Sequence, residues 1–227
     1  ASERGLLRAL ELSPGAAETR VWNGWRLAVL EGDYAGAMSE LRVAEQLDPL
    51  DLKLKTQIGY LHYFVRDYER AAAQFEAVLA ADPQFAFAHY ALADVNAQRE
   101  RYPEAIAALE ESVRLGGSSA NHMAILAHVH GRAGREEQAR ALLAQLRERA
   151  AAGQASPIWL ALAQVGLGEI DSAFASLERA FQERDGSLVL VAASPEFDPL
   201  RRDPRFRSLL ERMGLGPRPT RRSAILF

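Results

Sequence analysis

The sequence predicts an all-α chain built as a stack of antiparallel helix pairs, and three observations carry that prediction. Alanine recurs at a fixed interval of 34 residues, as Ala37, Ala71, Ala105, Ala139 and Ala173. Four residues after each stands a large apolar side chain, Leu41, Phe75, Leu109, Leu143 and Leu177, which places alanine and partner on one helical face. Ala, Leu, Glu and Arg are abundant, Ile, Val and Thr are sparse, and 48% of the 227 residues are apolar. That composition favours helix and is enough to bury a core.

Taken in order, residues 1–17 read as the second helix of an incomplete unit. Leu6 and Ala9 face inward over residues 3–12, Pro14 closes the helix, and its first helix is missing. The expectation is a chain cut from something longer, because a natural cap has a polar outer face and Leu6, Leu7, Leu10 and Leu12 leave none. Residues 18–187 then divide into five units, 18–51, 52–85, 86–119, 120–153 and 154–187.

Within a unit, a small residue lies twelve positions before the periodic alanine, at Gly59, Ala93, Ala127 and Ala161, each preceded by Ile58, Leu92, Leu126 or Leu160. Two helices meeting at such positions approach closely, since neither carries more than a methyl there. In the first unit Trp25 occupies that position, which predicts less regular packing. Turn signals separate the two helices at Gly32-Asp33-Tyr34, Arg66-Asp67-Tyr68 and Glu100-Arg101-Tyr102, and at Gly134 and Gly168. Asp48-Pro49 and Asp82-Pro83 end second helices, because proline cannot continue them. Gly117 replaces the third closing proline, and the fourth unit runs on through Arg147 to Ala155 without one.

Residues 188–215 read as C-terminal capping helices, with Asp203 as N-cap, Pro204 at the first helical position and Gly214 as C-cap. Residues 216–227 form a tail whose Gly-Pro-Arg-Pro start cannot continue a helix. Its end, Ile225-Leu226-Phe227, is an apolar cluster that offers self-association through a groove of the same chain or a neighbouring copy.

This 34-residue pattern resembles the tetratricopeptide repeat (TPR) family, with large-small in the first helix, then Ala-x3-Phe and a closing Pro. The resemblance covers residues 18–187 and implies a right-handed α-solenoid whose concave side is lined by the first helices. It further implies that positions 2, 5, 9, 12 and 13 of each unit face the groove. Here these hold Trp22, Arg26, Lys53, Thr56, Tyr60, Tyr63, Phe64, Phe87, Tyr90, Asp94, Gln98, Asn121, His128 and Arg132. Aromatic residues concentrate in the first three units and have the composition of binding hot spots. The slots in which some members hold a terminal carboxylate carry Trp22, Thr56, Tyr60 and Tyr90, not a Lys-x3-Asn pair. The expected partner is therefore a protein or peptide segment with apolar or aromatic side chains. The Asp203-Pro204-Arg205-Phe206 stretch with Leu209-Leu210 resembles the end of TPR arms of bacterial multidomain regulators, which implies a regulatory arm of a signalling or transcription protein.

Chemistry is sparse. Without cysteine there is no thiolate metal site and no thiol nucleophile. His122, His128 and His130 share one helix, but His128 points away from the other two, so no metal site and no cofactor is expected. Serines 39, 112, 172 and 176 have no histidine in the register of their own unit, and no nucleophile elbow or phosphate loop appears. An enzyme using the groove would have to rely on Asp94 and His128. From Glu196 to Phe227 eight arginines face four acids, so the end carries about +4 against about −7 elsewhere, summing to the net −3. Arginine stems covering a capping helix account for that better than nucleic-acid contact. No apolar run approaches the ~18 residues that cross a bilayer, so no membrane partner is expected, and the expected compartment is the cytoplasm, with the periplasm left open. The leading expectation is a non-enzymatic scaffold that binds protein.

Overall fold

The computed structural model describes residues 16–215, so the incomplete unit read over residues 3–12 and the tail read over residues 216–227 lie outside the described residues. Among the described residues there is no strand. Helix α1 (Ala17–Arg26) runs into a π-helical turn (Leu27–Glu31) and pairs with α2 (Tyr34–Leu47). Then α3 (Leu52–Phe64) pairs with α4 (Tyr68–Ala81), α5 (Ala86–Gln98) with α6 (Tyr102–Gly116), α7 (Ala120–Arg132) with α8 (Glu136–Ala151), and α9 (Pro157–Gly166) with α10 (Ile170–Gln182). Two 3₁₀ turns (Gly186–Ala192 and Pro195–Leu200) lead to α11 (Pro204–Arg212).

Local chemistry sets these boundaries. Asp33, Asp51 and Asp67 cap α2, α3 and α4 by accepting hydrogen bonds from Gly36 N, Leu54 N and Arg70 N. Helices α2 and α4 stop at Asp48 and Asp82, whose extended backbone is what a following proline requires. Between the two helices of every pair one residue takes a left-handed φ, at Gly32, Arg66, Glu100, Gly134 and Gly168, again at the 34-residue interval. Arg66 and Glu100 do so with a side chain, at a steric cost of about 1–2 kcal/mol each.

The periodic alanines Ala37, Ala71, Ala105, Ala139 and Ala173 are fully buried at the contact between paired helices. In the first pair the contact residue is Gly24, not the position held by Trp25. A Cβ on Gly24 would lie 3.2 Å from Leu41 side-chain carbons, just as one on Gly59 would meet the ring of Phe75. Leu41 and Phe75 each stand four residues after the periodic alanine, so the two glycines are equivalent and the first helix is one residue out of phase. The π-helical turn absorbs that extra residue, since its wider i→i+5 bonding takes one more residue per turn. Packing in the first unit is thus regular, and Trp25 is displaced by one position.

The adjacent first helices α7 and α9 also meet at their glycines. A Cβ on Gly166 would lie 2.4 Å from His128 Cα, and one on Gly131 would lie 2.5 Å from the Gly166 carbonyl oxygen. Helices α7 and α9 therefore touch backbone to backbone.

The expected capping helices over 188–215 take a different form. Within that stretch only Pro204–Arg212 is α-helical, because Pro195 and Pro199 each remove a backbone donor and break the preceding stretch into 3₁₀ turns. Leu188, Val191, Phe197, Leu200, Phe206 and Leu209 join the apolar core of the last three units. The arginines of this end lie on rings and acids: Arg205 sits 4.1 Å over Phe174 and pairs with Asp171, and Arg212 sits 4.2 Å over Phe181 and pairs with Glu178. Stems that cover apolar surface while their heads meet carboxylates perform the capping role.

Candidate functional site

The expected groove residues lie on the first helices. In the first three units, Tyr60 stacks on Phe87 with ring centroids 5.7 Å apart, Trp25 meets Phe64 edge-on at 5.6 Å, and Tyr60 lies 5.4 Å from Phe75 of α4. Trp25 is thus a member of the aromatic surface that register counting missed. The adjacent pair Gly24-Trp25 was the available signal, since it sets the glycine thirteen residues before Ala37 instead of twelve.

This surface is covered over its middle by the chain's own C-terminal segment. Ala193 is buried among Tyr60, Tyr63, Phe64, Phe75, Ala91 and Val95. The Tyr63 hydroxyl donates to Glu196 Oε1 at 2.7 Å, and the Arg66 guanidinium binds the Asp198 carboxylate at 2.5 Å and donates to the Ala193 carbonyl at 3.2 Å. The first 3₁₀ turn also packs against Leu27–Glu31, and the second against α9. The segment around residue 195 thereby bridges the first two units to the last.

Several expected groove residues are placed by this cover. Tyr60, Tyr63, Phe64, Thr56, Asp94 and His128 are buried, and Phe87, Tyr90, Gln98 and Asn121 are half-buried. None of the buried six offers free surface in this conformation. Thr56 donates to the Leu52 carbonyl of its own helix at 2.8 Å. Arg26 binds Asn23 at 3.2 Å and also reaches Glu31, while Arg132 is exposed 3.5 Å from Glu100.

Open clefts among the described residues include two. One, of about 490 Å³, lies at the N-terminal end between Val21, Trp22, Trp25, Asp51, Lys53 and Gln57, and Trp22 is 59% exposed there. Asp48 and Glu18 also border it, so the cleft combines two indoles with both signs of charge. The second, of about 260 Å³, lies between Phe87, Tyr90, Ser112, Asn121 and His122. There Ser112 donates to the Ala86 carbonyl at 2.8 Å and stands 3.1 Å from His122 Nε2. With its only proton committed to Ala86, Ser112 accepts from His122, which is the reverse of what a serine nucleophile and its base require.

Asp94 and His128, the expected acid and base, have different partners. Tyr60 donates to Asp94 Oδ2 at 2.9 Å, and His128 Nδ1 lies 3.1 Å from the Leu162 carbonyl. Burial lowers the His128 pKa to about 4, so its imidazole is neutral at physiological pH. Burial, and after it the charge of Glu196, raises Asp94 well above the usual carboxylate range, against the opposing hydrogen bond from Tyr60. Glu196 is raised too, chiefly by burial. Asp94 Oδ1 and Glu196 Oε2 are covered and have no hydrogen-bond partner. Among the described residues no three His, Asp or Glu side chains are grouped to hold a metal ion, and no helix is long and apolar enough to cross a membrane.

Paired helices at a 34-residue interval, with small residues at the contacts and first helices lining one side, define an α-solenoid of the repeat-protein class. Residues 56–120 match the family model described as tetratricopeptide repeat, and the fold is an all-α solenoid like that of solved TPR proteins. Among solved structures, a thermophilic TPR protein of Thermus thermophilus is 19% identical with a TM-score of 0.61, over 78% of this chain and 97% of that one. The pilF protein of Pseudomonas aeruginosa is 19% identical with a TM-score of 0.53, over 86% and 85%. Yeast Tom70 is 17% identical with a TM-score of 0.54, over 92% of this chain and 45% of that one. At these identities the likeness is one of fold. A comparison with curated proteins finds no match.

Proposed function

We propose that this protein is a non-enzymatic scaffold that holds a protein or peptide segment on its concave side, as the regulatory arm of a bacterial signalling or transcription protein. The observation that carries the reading is the open N-terminal cleft, where Trp22 and Trp25 present rigid aromatic area beside Lys53 and Gln57. Tryptophans next to mixed polar groups have the composition of interface hot spots. The regulatory role rests on the resemblance of Asp203-Pro204-Arg205-Phe206 and Leu209-Leu210 to the ends of such arms. Against a groove enzyme stand the separate partners of Asp94 and His128. Against nucleic acid stand Arg205 and Arg212, whose charges are engaged by Asp171 and Glu178.

The test is selection of binding peptides from a random displayed library against the full chain, followed by titration of the winners. Trp22→Ala is expected to weaken selected peptides by about tenfold or more, in line with hot-spot tryptophans. Peptides that bind Trp22→Ala as tightly as the natural chain would exclude the N-terminal cleft as the site.

A further inference from the structure

The C-terminal segment touches the two halves of the solenoid by different chemistry. Toward the last units it is anchored by Leu188, Val191, Phe197 and Leu200, all buried in one apolar core. Toward the second unit it is held by one methyl group, that of Ala193, by a bond from Arg66 to the Ala193 carbonyl, and by polar contacts of Glu196 and Asp198 with Tyr63 and Arg66. The second set is the weaker. Arg66 and Asp198 are each about one-third exposed, so their attraction is screened by solvent, and two buried carboxylate oxygens on Asp94 and Glu196 lack partners.

We propose that residues 193–198 act as an internal ligand that occupies the concave face of the second and third units, and that the external partner of this face is an acidic segment of the same pattern. That pattern is a small residue followed after three and five positions by carboxylates, Ala193-x-x-Glu196-x-Asp198. The small residue is buried in one apolar cluster with Tyr60, Phe64 and Ala91. The first carboxylate takes the Tyr63 hydroxyl, and the second takes the Arg66 guanidinium as a charge-assisted pair. Because the apolar anchors lie on the other side of the segment, releasing Ala193, Glu196 and Asp198 exposes the face without dissolving the core of the last units. The proposal rests on the reading of the concave side as a binding surface and adds its regulation and its partner chemistry.

A tethered segment competes at an effective concentration on the order of millimolar, so an added ligand binds the closed chain weakly. The test uses the full chain, its Glu196→Ala/Asp198→Ala variant and a synthetic peptide of residues 191–200. Without peptide, hydrogen exchange of the amides of residues 193, 194 and 196–198 is expected to rise about tenfold or more in the variant, while exchange in α7 and α9 and total helicity stay unchanged. With peptide, the variant is expected to bind about tenfold or more tightly than the natural chain. Adding Arg66→Ala to the variant is expected to remove that binding. Exchange at 193–198 as slow as in α9 in both proteins would overturn the proposal and leave the N-terminal cleft, tested separately by Trp22→Ala, untouched. Opening of the segment with no gain in peptide affinity would overturn the internal-ligand assignment together with the reading of this face as a groove.

Discussion

Gly166→Ala strikes a close backbone contact of this fold. The added methyl would lie 2.4 Å from His128 Cα and 2.5 Å from the His128 carbonyl oxygen, both backbone atoms that no rotamer change can move. Carbon atoms settle at about 3.5–4.0 Å, so α7 and α9 must separate by roughly 1 Å. Overpacking of that kind costs about 1–3 kcal/mol. Separation also stretches the 3.1 Å contact of the buried His128 with the Leu162 carbonyl. Loss of that contact adds about 1–3 kcal/mol. Alanine's better helix propensity returns about 1 kcal/mol. The expected net loss is about 3 kcal/mol. Gly24→Ala is the control: its methyl would meet the Ala37 carbonyl oxygen and Leu41 side-chain carbons at 3.2 Å, a crowding that a shift of a few tenths of an ångström relieves. There the propensity gain and the crowding nearly cancel, within about 0.5 kcal/mol. Urea unfolding followed by circular dichroism, with hydrogen exchange resolving α1–α2 from α7–α9, separates the two, since repeat arrays can open unit by unit. Equal stability of Gly166→Ala and Gly24→Ala would refute the backbone contact between α7 and α9.

The remaining predictions concern pH and one turn. A His128 pKa lowered from 6.5 to about 4 means the unfolded chain binds the extra proton first, so stability is full above pH 6.5 and falls on acidification toward pH 4, by about 3 kcal/mol. Thermal melts of His128→Gln should lose most of that acid slope, and an unchanged slope would place the titration elsewhere. Asp94 has the opposite sign. Its raised pKa means the folded chain holds the proton longer, so its contribution is full below the ordinary 3.8 and declines as pH rises above it. Asp94→Asn is therefore expected to flatten the loss on the alkaline side and to raise the melting temperature at pH 8. Glu100→Gly relieves a left-handed side-chain residue with φ 59° and is expected to stabilise by about 0.5–1 kcal/mol, against the extra freedom glycine gains in the unfolded chain. A lowered unfolding midpoint would mean the turn tolerates glutamate without strain.

The fold class was legible in the sequence because its determinants are local and repeated. Ala71 four residues before Phe75 and a turn five residues before each alanine act within a few residues and recur in every unit, and a proline after the second helix recurs at Pro49 and Pro83, so the copies corroborate one another. One extra residue in the first unit was enough to hide Trp25, because counting by 34 cannot see a π-helical turn at Leu27–Glu31. What surrounds the candidate site was decided by contacts far apart in the chain. Tyr63 and Glu196 are 133 residues apart, and Arg66 and Asp198 are 132 apart. No periodicity joins them, because they meet only once the units are stacked and the stretch with Pro195 and Pro199 has turned back in 3₁₀ form over the first helices. Sequence by itself placed the aromatic residues on one face of the first helices. Tertiary structure decided that the middle of that face lies under the chain's own segment, since burying Ala193, Phe197 and Leu200 gains apolar area at no cost in lost helix where proline has already forbidden one.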